Sequence, residues 1–238
     1  MLNLYITSPS QKEGKTFITA GIAATMQSLG YKTSVYKPFQ TSGIEIKGFM
    51  QSPDLTYIKT IDPYIETHFS YLFKGTGDPL SISEEENNEI DLDFIYKDAK
   101  KFAISSDCII VDGEGGIFTP IAAGAKNIDL VNKLQVPVLI VVKPGENSIN
   151  DTLLSIFATQ ESGAIVNGVV INNIKENENN KNLTTLVRII EEYSDAKVLG
   201  MVPYMGKNVV PEDLITGILN GVDIESVFNV KISKLELN

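Results

Sequence analysis

The chain has 238 residues, of which 43% are hydrophobic and 21% charged, with a formal net charge of −10 and a pI near 4.7. These values are typical of a soluble globular protein and argue against disordered and membrane classes. The negative charge repels a nucleic-acid backbone and an anionic membrane surface, so we expect neither as a partner. The N-terminus lacks the pattern of a signal peptide, which predicts a cytoplasmic protein. The single cysteine, Cys108, lies in an apolar run and is expected to pack in the core.

Apolar runs of strand length alternate with helical patterns along the chain. Residues 2–7 predict a strand, and the apolar spacing of the next segment predicts a helix that ends at Gly30. The alternation then continues through KTSVYKP, FIYKDAKKFAIS, CIIVDG, VPVLIVV, INDTLLSIFATQESG, GVVINN, NLTTLVRIIEEYS and KVLGMVP. This order predicts an α/β fold with a doubly wound, mostly parallel sheet flanked by helices.

We expect residues 1–238 to form a single domain, since the length suits one large α/β unit. The strand and helix patterns fail at about 61–90, where Pro, Gly and the acidic stretch SEEENNE accumulate. This segment is predicted to be an irregular excursion over the surface rather than a linker between domains.

The segment SPSQKEGKTF, residues 8–17, lies between the first predicted strand and the first predicted helix. This placement is typical of a phosphate-binding loop, in which backbone N–H groups and a helix N-terminus face the anion. In the pattern G-x-x-x-x-G-K-(S/T) the first glycine would stand at Pro9, and the second lysine of partition-type ATPases would stand at Ser10. The sequence therefore predicts a phosphate loop of different length or shape.

Six short motifs follow in a particular order: YKPFQTSG at 36–43, SPDLTYI at 52–58, VDGEGGIFTP at 111–120, SIND at 148–151, VINN at 170–173 and LGMVPY at 199–204. Together they resemble the dethiobiotin synthetase family over almost the whole chain. The loop of that family reads G-T-D-T-E-V-G-K-T, so Ser8 replaces its first glycine. The resemblance implies a P-loop NTPase-like fold and a homodimer that uses ATP and Mg²⁺. It also implies a cyclo-ligase reaction that closes a ureido ring on 7,8-diaminononanoate with CO₂.

Four side chains suit this chemistry by their position. Lys37 follows the second strand and should reach the crevice at the carboxyl edge of the sheet, where ligands bind. Asp112 ends a buried apolar run, and with Asp54 and the Thr16 hydroxyl it supplies the hard oxygen ligands that Mg²⁺ prefers. For Asp54 the alternative is a helix N-cap before LTYI.

The resemblance implies roles for a larger set. Lys15 and Lys37 are expected to be catalytic, on the phosphates of ATP and on the carbamate respectively. The expected nucleotide-binding residues are Lys12, Glu13, Gly14, Lys15, Thr16, Phe17, Asp54, Asp112, Gly113, Glu114, Gly115, Asn172, Asn173, Pro203, Tyr204 and Met205. The expected substrate-binding residues are Thr41, Gly116, Ser148, Ile149 and Asn150, and the expected metal ligands are Thr16, Asp54 and Asp112.

The chain departs from the family at Glu114, where a small residue is common, and at Asp112, where glutamate is usual. Two alternatives stay open. One is an amide ligase of the cobyrinic acid a,c-diamide synthase type, which would need a glutamine-amidotransferase partner. The other is a nucleotide-switch ATPase acting on a protein partner. The lone histidine, His68, has no companion ligand in the sequence and is expected to have a surface or structural role.

Overall fold

The computed structural model describes residues 1–175, 180–206 and 208–232. Within these residues the main strands are β1 (Leu2–Ser8), β2 (Thr33–Gln40), β5 (Glu66–Leu72), β6 (Cys108–Gly116), β9 (Val138–Val142), β10 (Val166–Ile174) and β11 (Val198–Pro203). They form one parallel sheet in the order β11-β10-β9-β1-β6-β2-β5. Two antiparallel hairpins lie outside it: β3 (Ile44–Ile46) with β4 (Phe49–Gln51), and β7 (Pro120–Ala122) with β8 (Ala125–Lys126).

Helices cover both faces of the sheet. They are α1 (Lys15–Ser28), α2 (Pro53–Ile61), α3 (Pro79–Glu85), α4 (Leu92–Ala103), α5 (Asn127–Leu134), α6 (Ser148–Glu161), α7 (Asn180–Tyr193), α8 (Pro211–Gly221) and α9 (Ile224–Phe228). Apolar side chains of α1, α2, α8 and α9 pack on one face, and those of α3 to α7 pack on the other. The predicted fold class, a doubly wound parallel sheet between helices, is confirmed.

The central strands are apolar on both sides because both faces are covered. In β1, Leu4 and Ile6 pack against the α1 face while Tyr5, between them, packs against the opposite face. All five residues of β9 are buried in the same alternating way. Period-two alternation places successive side chains on opposite faces, so a continuous apolar run is what a doubly covered strand requires.

The prediction that residues 61–90 form an irregular excursion is wrong for one part of that segment. Residues 66–72 form β5, which pairs with β2 in parallel register and makes an edge of the sheet. Every residue of β5 is only partly buried, so the strand lacks the apolar run that marks the central strands. Its polar side chains pack instead by hydrogen bonding: His68 Nε2 lies 2.8 Å from Asp98 Oδ2, and Ser70 donates to the same oxygen at 2.5 Å. His68 thus has the structural role expected of it.

The site lies at the carboxyl ends of β1 and β6. From β1 the chain moves toward β2, whereas from β6 it moves across β1 to β9, so the two connections diverge at this point. Such a divergence leaves a crevice at the carboxyl edge, where ligands bind in open α/β sheets. Parallel register places Ile6 beside Asp112 and Ser8 beside Gly116 at that edge. Among the described residues, no helix has the length and apolar character needed to cross a membrane.

Candidate active site

The loop between β1 and α1 wraps around the ammonium of Lys15. Lys15 Nζ donates to Ser8 Oγ at 2.8 Å and to the Ser10 carbonyl at 3.4 Å, so its side chain folds back across the loop. Gly14, the N-cap of α1, has φ 91, a conformation that favours glycine. The loop therefore presents a helix N-terminus and a buried cation at the same place, which is the arrangement that binds phosphate.

Pro9, which the usual loop pattern does not allow, lies against the end of β6. A Cβ at Gly116 would lie 2.9 Å from the Pro9 carbonyl oxygen, so the strand has no side chain where the loop crosses it. A Cβ at Gly113 would likewise lie 2.8 Å from the Ile6 carbonyl oxygen. These glycines let the loop and the two central strands approach closely.

Lys37 lies at the centre of the charged side chains. Its side chain is 1% exposed, and its Nζ lies 2.5 Å from Asp54 Oδ2, 3.0 Å from Asp112 Oδ2 and 3.1 Å from Glu114 Oε2. Burial alone would lower the pKa of Lys37, but the three carboxylates outweigh it and hold the pKa well above its ordinary value. Lys37 is therefore a fixed positive charge.

Asp112 is fully buried and accepts hydrogen bonds on both oxygens. Thr16 Oγ1 donates to Oδ2 at 3.2 Å, and Thr19 Oγ1 donates to Oδ1 at 3.0 Å. Asp54 lies in the first turn of α2, but the N-cap is Ser52, whose hydroxyl accepts from the Leu55 N–H. The alternative assignment of Asp54 as the helix cap is therefore wrong.

Electrostatics distinguish Asp54 and Lys15 from ordinary surface residues. Burial would raise the pKa of Asp54, but the charge of Lys37 and hydrogen bonds from Lys37 and Thr16 lower it below its usual value. Burial, reinforced by repulsion from Lys37, lowers the pKa of Lys15. The ammonium groups of Lys15 and Lys37 repel each other, and an anionic ligand bound between them would reduce that repulsion.

The predicted nucleotide residues other than Asp112 and Gly113 line one or both of two cavities. One, of about 260 Å³, contains both lysines and is lined by Gln11, Lys12, Gly14, Lys15, Thr16, Phe17, Lys37, Asp54, Glu114 and Gly115. The other, of about 180 Å³, is lined by Lys12, Glu13, Gly14, Phe17, Asn172, Asn173, Pro203, Tyr204, Met205 and Gly206. Lys12, Gly14 and Phe17 line both, so the two cavities adjoin across the start of α1.

The two asparagines at the end of β10 differ. Asn172 Nδ2 donates to the Glu13 carbonyl at 3.0 Å and thereby joins β10 to the loop. Asn173 Oδ1 is buried and has no hydrogen-bond partner among the described residues. An unpaired acceptor in a small cavity is costly unless a ligand donates to it.

The structure places the predicted substrate residues in separate positions. Thr41 is buried just after β2, and the Gly116 N–H already donates to Thr119 Oγ1 at 2.9 Å. Ser148 lines a third cavity of about 260 Å³ on the other side of the loop.

The remaining two predicted substrate residues are Ile149 and Asn150. The Ile149 side chain packs against the core, and Asn150 Nδ2 lies 3.1 Å from Asp151 Oδ1. The start of α6 therefore lies away from the cavity that contains Lys37. Within one chain, α6 does not contribute to the lining of that cavity.

A sequence profile of the family described as an AAA domain (AAA_26) matches residues 2–211. The chain belongs to this family. It is 28% identical over 232 residues to an ATP-dependent dethiobiotin synthetase from Bacillus licheniformis, covering 96% of this chain and 97% of that protein. It is 25% identical over 215 residues to the synthetase of the same name from Clostridium acetobutylicum, covering 87% and 88%. The resemblance to dethiobiotin synthetases is thereby confirmed.

Solved structures of the same fold include cell-division ATPases. MinD from Pyrococcus horikoshii, solved with Mg-ADP, aligns with a TM-score of 0.57 at 14% identity and covers 97% of this chain and 90% of its own. MinD from Aquifex aeolicus aligns with a TM-score of 0.53 at 20% identity and covers 92% and 89%. At these identities the likeness shows the fold alone, and it does not favour the nucleotide-switch alternative.

Two residues of the site escaped the sequence analysis. Thr19 donates to Asp112 from the turn of α1 after Thr16, and its spacing of three residues was the available signal. Asn127 is fully buried, and its Nδ2 donates to the carbonyl oxygens of Glu114 at 2.6 Å and Gly116 at 2.8 Å. No local pattern marks Asn127, because its partners are distant in sequence.

Proposed function

We propose that this protein is an ATP- and Mg²⁺-dependent cyclo-ligase that closes a ureido ring on 7,8-diaminononanoate with CO₂ to give dethiobiotin. The observation that carries the proposal is the buried Lys37 in one cavity with Lys15, Thr16 and Asp54, at the carboxyl edge of the sheet. The similarity to dethiobiotin synthetases along nearly the whole chain supports the same reaction.

Thr16, Asp54 and Asp112 fit Mg²⁺ because all three supply hard oxygen ligands. Among the described residues no group of three or more His, Cys, Asp and Glu side chains is arranged to hold a metal ion. Nucleotide phosphates and water would therefore complete the coordination, as is usual for Mg²⁺. When bound, Mg²⁺ would neutralise charge on the β- and γ-phosphates.

ATP would extend across both adjoining cavities. Lys15 and the N-terminus of α1 suit the β- and γ-phosphates, and the cavity beside Tyr204 and Met205 suits the base. The unpaired Asn173 Oδ1 would accept a hydrogen bond from the exocyclic amino group of adenine. Guanine has a carbonyl oxygen at that position, so the site would prefer ATP.

Lys37 would stabilise the anionic groups of the reaction. CO₂ adds to one amine of the substrate, and the resulting carbamate takes the γ-phosphoryl group of ATP. The second amine then attacks the carbamoyl carbon, and phosphate leaves as the ring closes. A fixed ammonium is suited to the charge on the carbamate oxygen and on the phosphorylated intermediate, and no side-chain nucleophile is needed.

A second copy of the chain would complete the substrate site. Leu154 and Phe157 of α6 are 57% and 62% exposed, and with Phe118 they line an open cavity of about 560 Å³ beside Gly116. Large apolar side chains grouped in this way are typical of a protein interface. We infer a homodimer across this face, with residues 148–150 of one subunit serving the substrate of the other, in a single-domain cytoplasmic protein.

Size-exclusion chromatography with light scattering tests the dimer. Phe157→Glu should convert a dimer to a monomer, whereas Tyr193→Glu, at a comparably exposed aromatic on α7, should leave the mass unchanged. An unaltered protein that is monomeric at micromolar concentration would contradict the dimer.

The reaction is tested by phosphate release from ATP, Mg²⁺ and bicarbonate, with and without 7,8-diaminononanoate, together with mass analysis of the product. We expect diamine-dependent phosphate release and a ureido product. Phosphate release of equal rate with and without the diamine would contradict the proposal and would point to another substrate or to a switch.

A further inference from the structure

Glu114 supplies a third carboxylate to a lysine that already has two. Its Oε2 lies 3.1 Å from Lys37 Nζ, and its side chain is 19% exposed. Asp54 and Asp112 contact the same ammonium at 2.5 Å and 3.0 Å. A single cation is thus shared among three anions, and this local excess of negative charge needs an explanation.

The three carboxylates differ in their other contacts. Asp112 accepts a hydrogen bond from the hydroxyl of Thr16, the residue that follows the phosphate-loop lysine, and the same hydroxyl contributes to the lowered pKa of Asp54. Under the proposed function these two aspartates would be ligands of Mg²⁺. Among the described residues, Lys37 is the ion-pair partner of Glu114 and no other is found.

The backbone at Glu114 is held firmly. Asn127 Nδ2 donates to the Glu114 carbonyl at 2.6 Å, and Tyr5 donates from its hydroxyl to Asn127 Oδ1 at 3.2 Å. Gly115 follows with φ 69, which turns the chain directly after the carboxylate. The anchored carbonyl and the turn after it keep the Glu114 side chain directed at Lys37.

We propose that Glu114 is a positioning residue that holds Lys37 in place when Asp54 and Asp112 bind the Mg²⁺ of Mg²⁺-ATP. This inference rests on the proposed function. A divalent cation held by the two aspartates would repel the nearby ammonium, and a buried cation without a partner is costly. Glu114 then provides the remaining counter-charge, so that Lys37 stays at the position where the carbamate forms.

Glu114→Gln tests the inference because it keeps the shape of the side chain and removes its charge. We expect kcat for diamine-dependent phosphate release to fall about 10- to 100-fold, the usual effect of losing a supporting residue behind a catalytic one. The dissociation constant for Mg²⁺-ATP and the KM for the diamine should change less than about threefold, since in the proposal Glu114 acts through Lys37 and not on either ligand. Glu114→Asp, which restores the charge, should recover part of kcat.

The control is Glu84→Gln, which neutralises an exposed glutamate on α3 and should leave kcat unchanged. A kcat for Glu114→Gln equal to that of the unaltered protein would overturn the proposal. So would a fall in kcat with a matching loss of Mg²⁺-ATP affinity, because Glu114 would then serve the nucleotide.

A crystal structure with Mg²⁺ and a non-hydrolysable ATP analogue gives a readout that does not depend on turnover. We expect Lys37 Nζ within about 4 Å of a Glu114 carboxylate oxygen, with Asp54 or Asp112 facing the metal. A Glu114 side chain turned to solvent beside an ordered Lys37 would overturn the inference. Absence of diamine turnover, in contrast, would contradict only the proposed reaction and not this contact.

Discussion

Asn172 Nδ2 lies 3.0 Å from the carbonyl oxygen of Glu13, although the two residues are 159 positions apart. The contact joins the end of β10, beside the cavity lined by Tyr204 and Met205, to the loop that surrounds Lys15. A Cβ at Gly14 would lie 2.0 Å from the same Nδ2 atom. The loop and the strand therefore meet at a point that has no room for a side chain.

Gly14→Ala is expected to weaken ATP binding at least about 10-fold, because the new methyl group must displace Asn172 and because φ 91 is unfavourable for alanine. Isothermal titration of Mg²⁺-ATP measures the effect. Gly163→Ala is the matched control: Gly163 has φ 84, and a Cβ added there would meet nothing within 4 Å, so it incurs the backbone cost alone. Equal ATP affinity in the two variants would refute the steric role of Asn172.

Thr19→Val is expected to lower the free energy of unfolding by about 1–3 kcal/mol, since it removes the donor to the buried Asp112 Oδ1. Thr25→Val on the same helix provides the control. Thr25 Oγ1 is buried without a hydrogen-bond partner among the described residues, so its loss should be neutral or stabilising. Urea unfolding of the two variants gives the comparison, and a Thr25→Val protein as destabilised as Thr19→Val would show that packing, not the hydrogen bond, is responsible.

Lys15→Ala and Lys37→Met are expected to separate binding from catalysis. Lys15→Ala should weaken ATP binding about 10- to 100-fold, the range for a lost hydrogen bond to a charged group. Lys37→Met should leave ATP affinity nearly intact and remove turnover. It should also destabilise the metal-free protein by about 3–5 kcal/mol, because buried Asp112 loses its counter-ion.

Addition of Mg²⁺ should restore much of that stability to Lys37→Met and raise its melting temperature more than that of the unaltered protein. Calorimetry with and without Mg²⁺ makes this measurement. Full turnover by Lys37→Met would disprove the role assigned to Lys37.

Asn173→Gly is expected to reduce the preference for ATP over GTP about 5- to 10-fold, the value of one neutral hydrogen bond. Glycine retains the φ of 61 that Asn173 adopts, so the change removes the side chain without straining the backbone. Asn229→Gly, at φ 52 after α9, is the control and should leave the preference unchanged. Competition binding with both nucleotides measures the preference. An unaltered preference in Asn173→Gly would rule out a contact between Asn173 and the base.

Cys108 should make stability fall at alkaline pH. Burial raises the pKa of its thiol to about 12, against about 8.5 in an unfolded chain. Between these values only the unfolded chain releases the proton, so stability is unaffected below pH 8 and declines above it. The stability advantage of the unaltered protein over Cys108→Ala should be about 2 kcal/mol smaller at pH 10 than at pH 7. Urea unfolding at both pH values measures it, and a constant difference would contradict the prediction.

The central strands and the phosphate loop were predictable because their residues carry the information locally. A doubly covered strand such as β9 must be apolar throughout, and Lys15 directly follows a glycine between a strand and a helix. The edge strand β5 was missed because its packing depends on hydrogen bonds from His68 and Ser70 to Asp98, which lies on a helix that follows later in the chain. Partly buried polar strands resemble loops in sequence.

The charged residues around Lys37 could be predicted one by one, but their arrangement could not. Lys37, Asp54 and Asp112 were expected at one edge of the sheet, and the structure brings both carboxylates within 3.0 Å of the Lys37 ammonium. The pairing of Lys37 with Glu114 could not be predicted, because it depends on how Asn127 holds the turn after β6. Contacts that join four separate segments leave no periodic signal in any one of them.

The position of β1 in the middle of the sheet affects how the protein is made. β1 leaves the ribosome well before its two neighbours, β6 and β9, which begin only at Cys108 and Val138. At usual rates of synthesis, roughly 5–20 s pass between the synthesis of β1 and the synthesis of β6, its first partner. During that time its apolar residues can pack only against α1 or a chaperone, whereas β2 and β5 can already pair with each other. Nascent chains that end before β6 should therefore be bound by chaperones, and release should follow the emergence of β6.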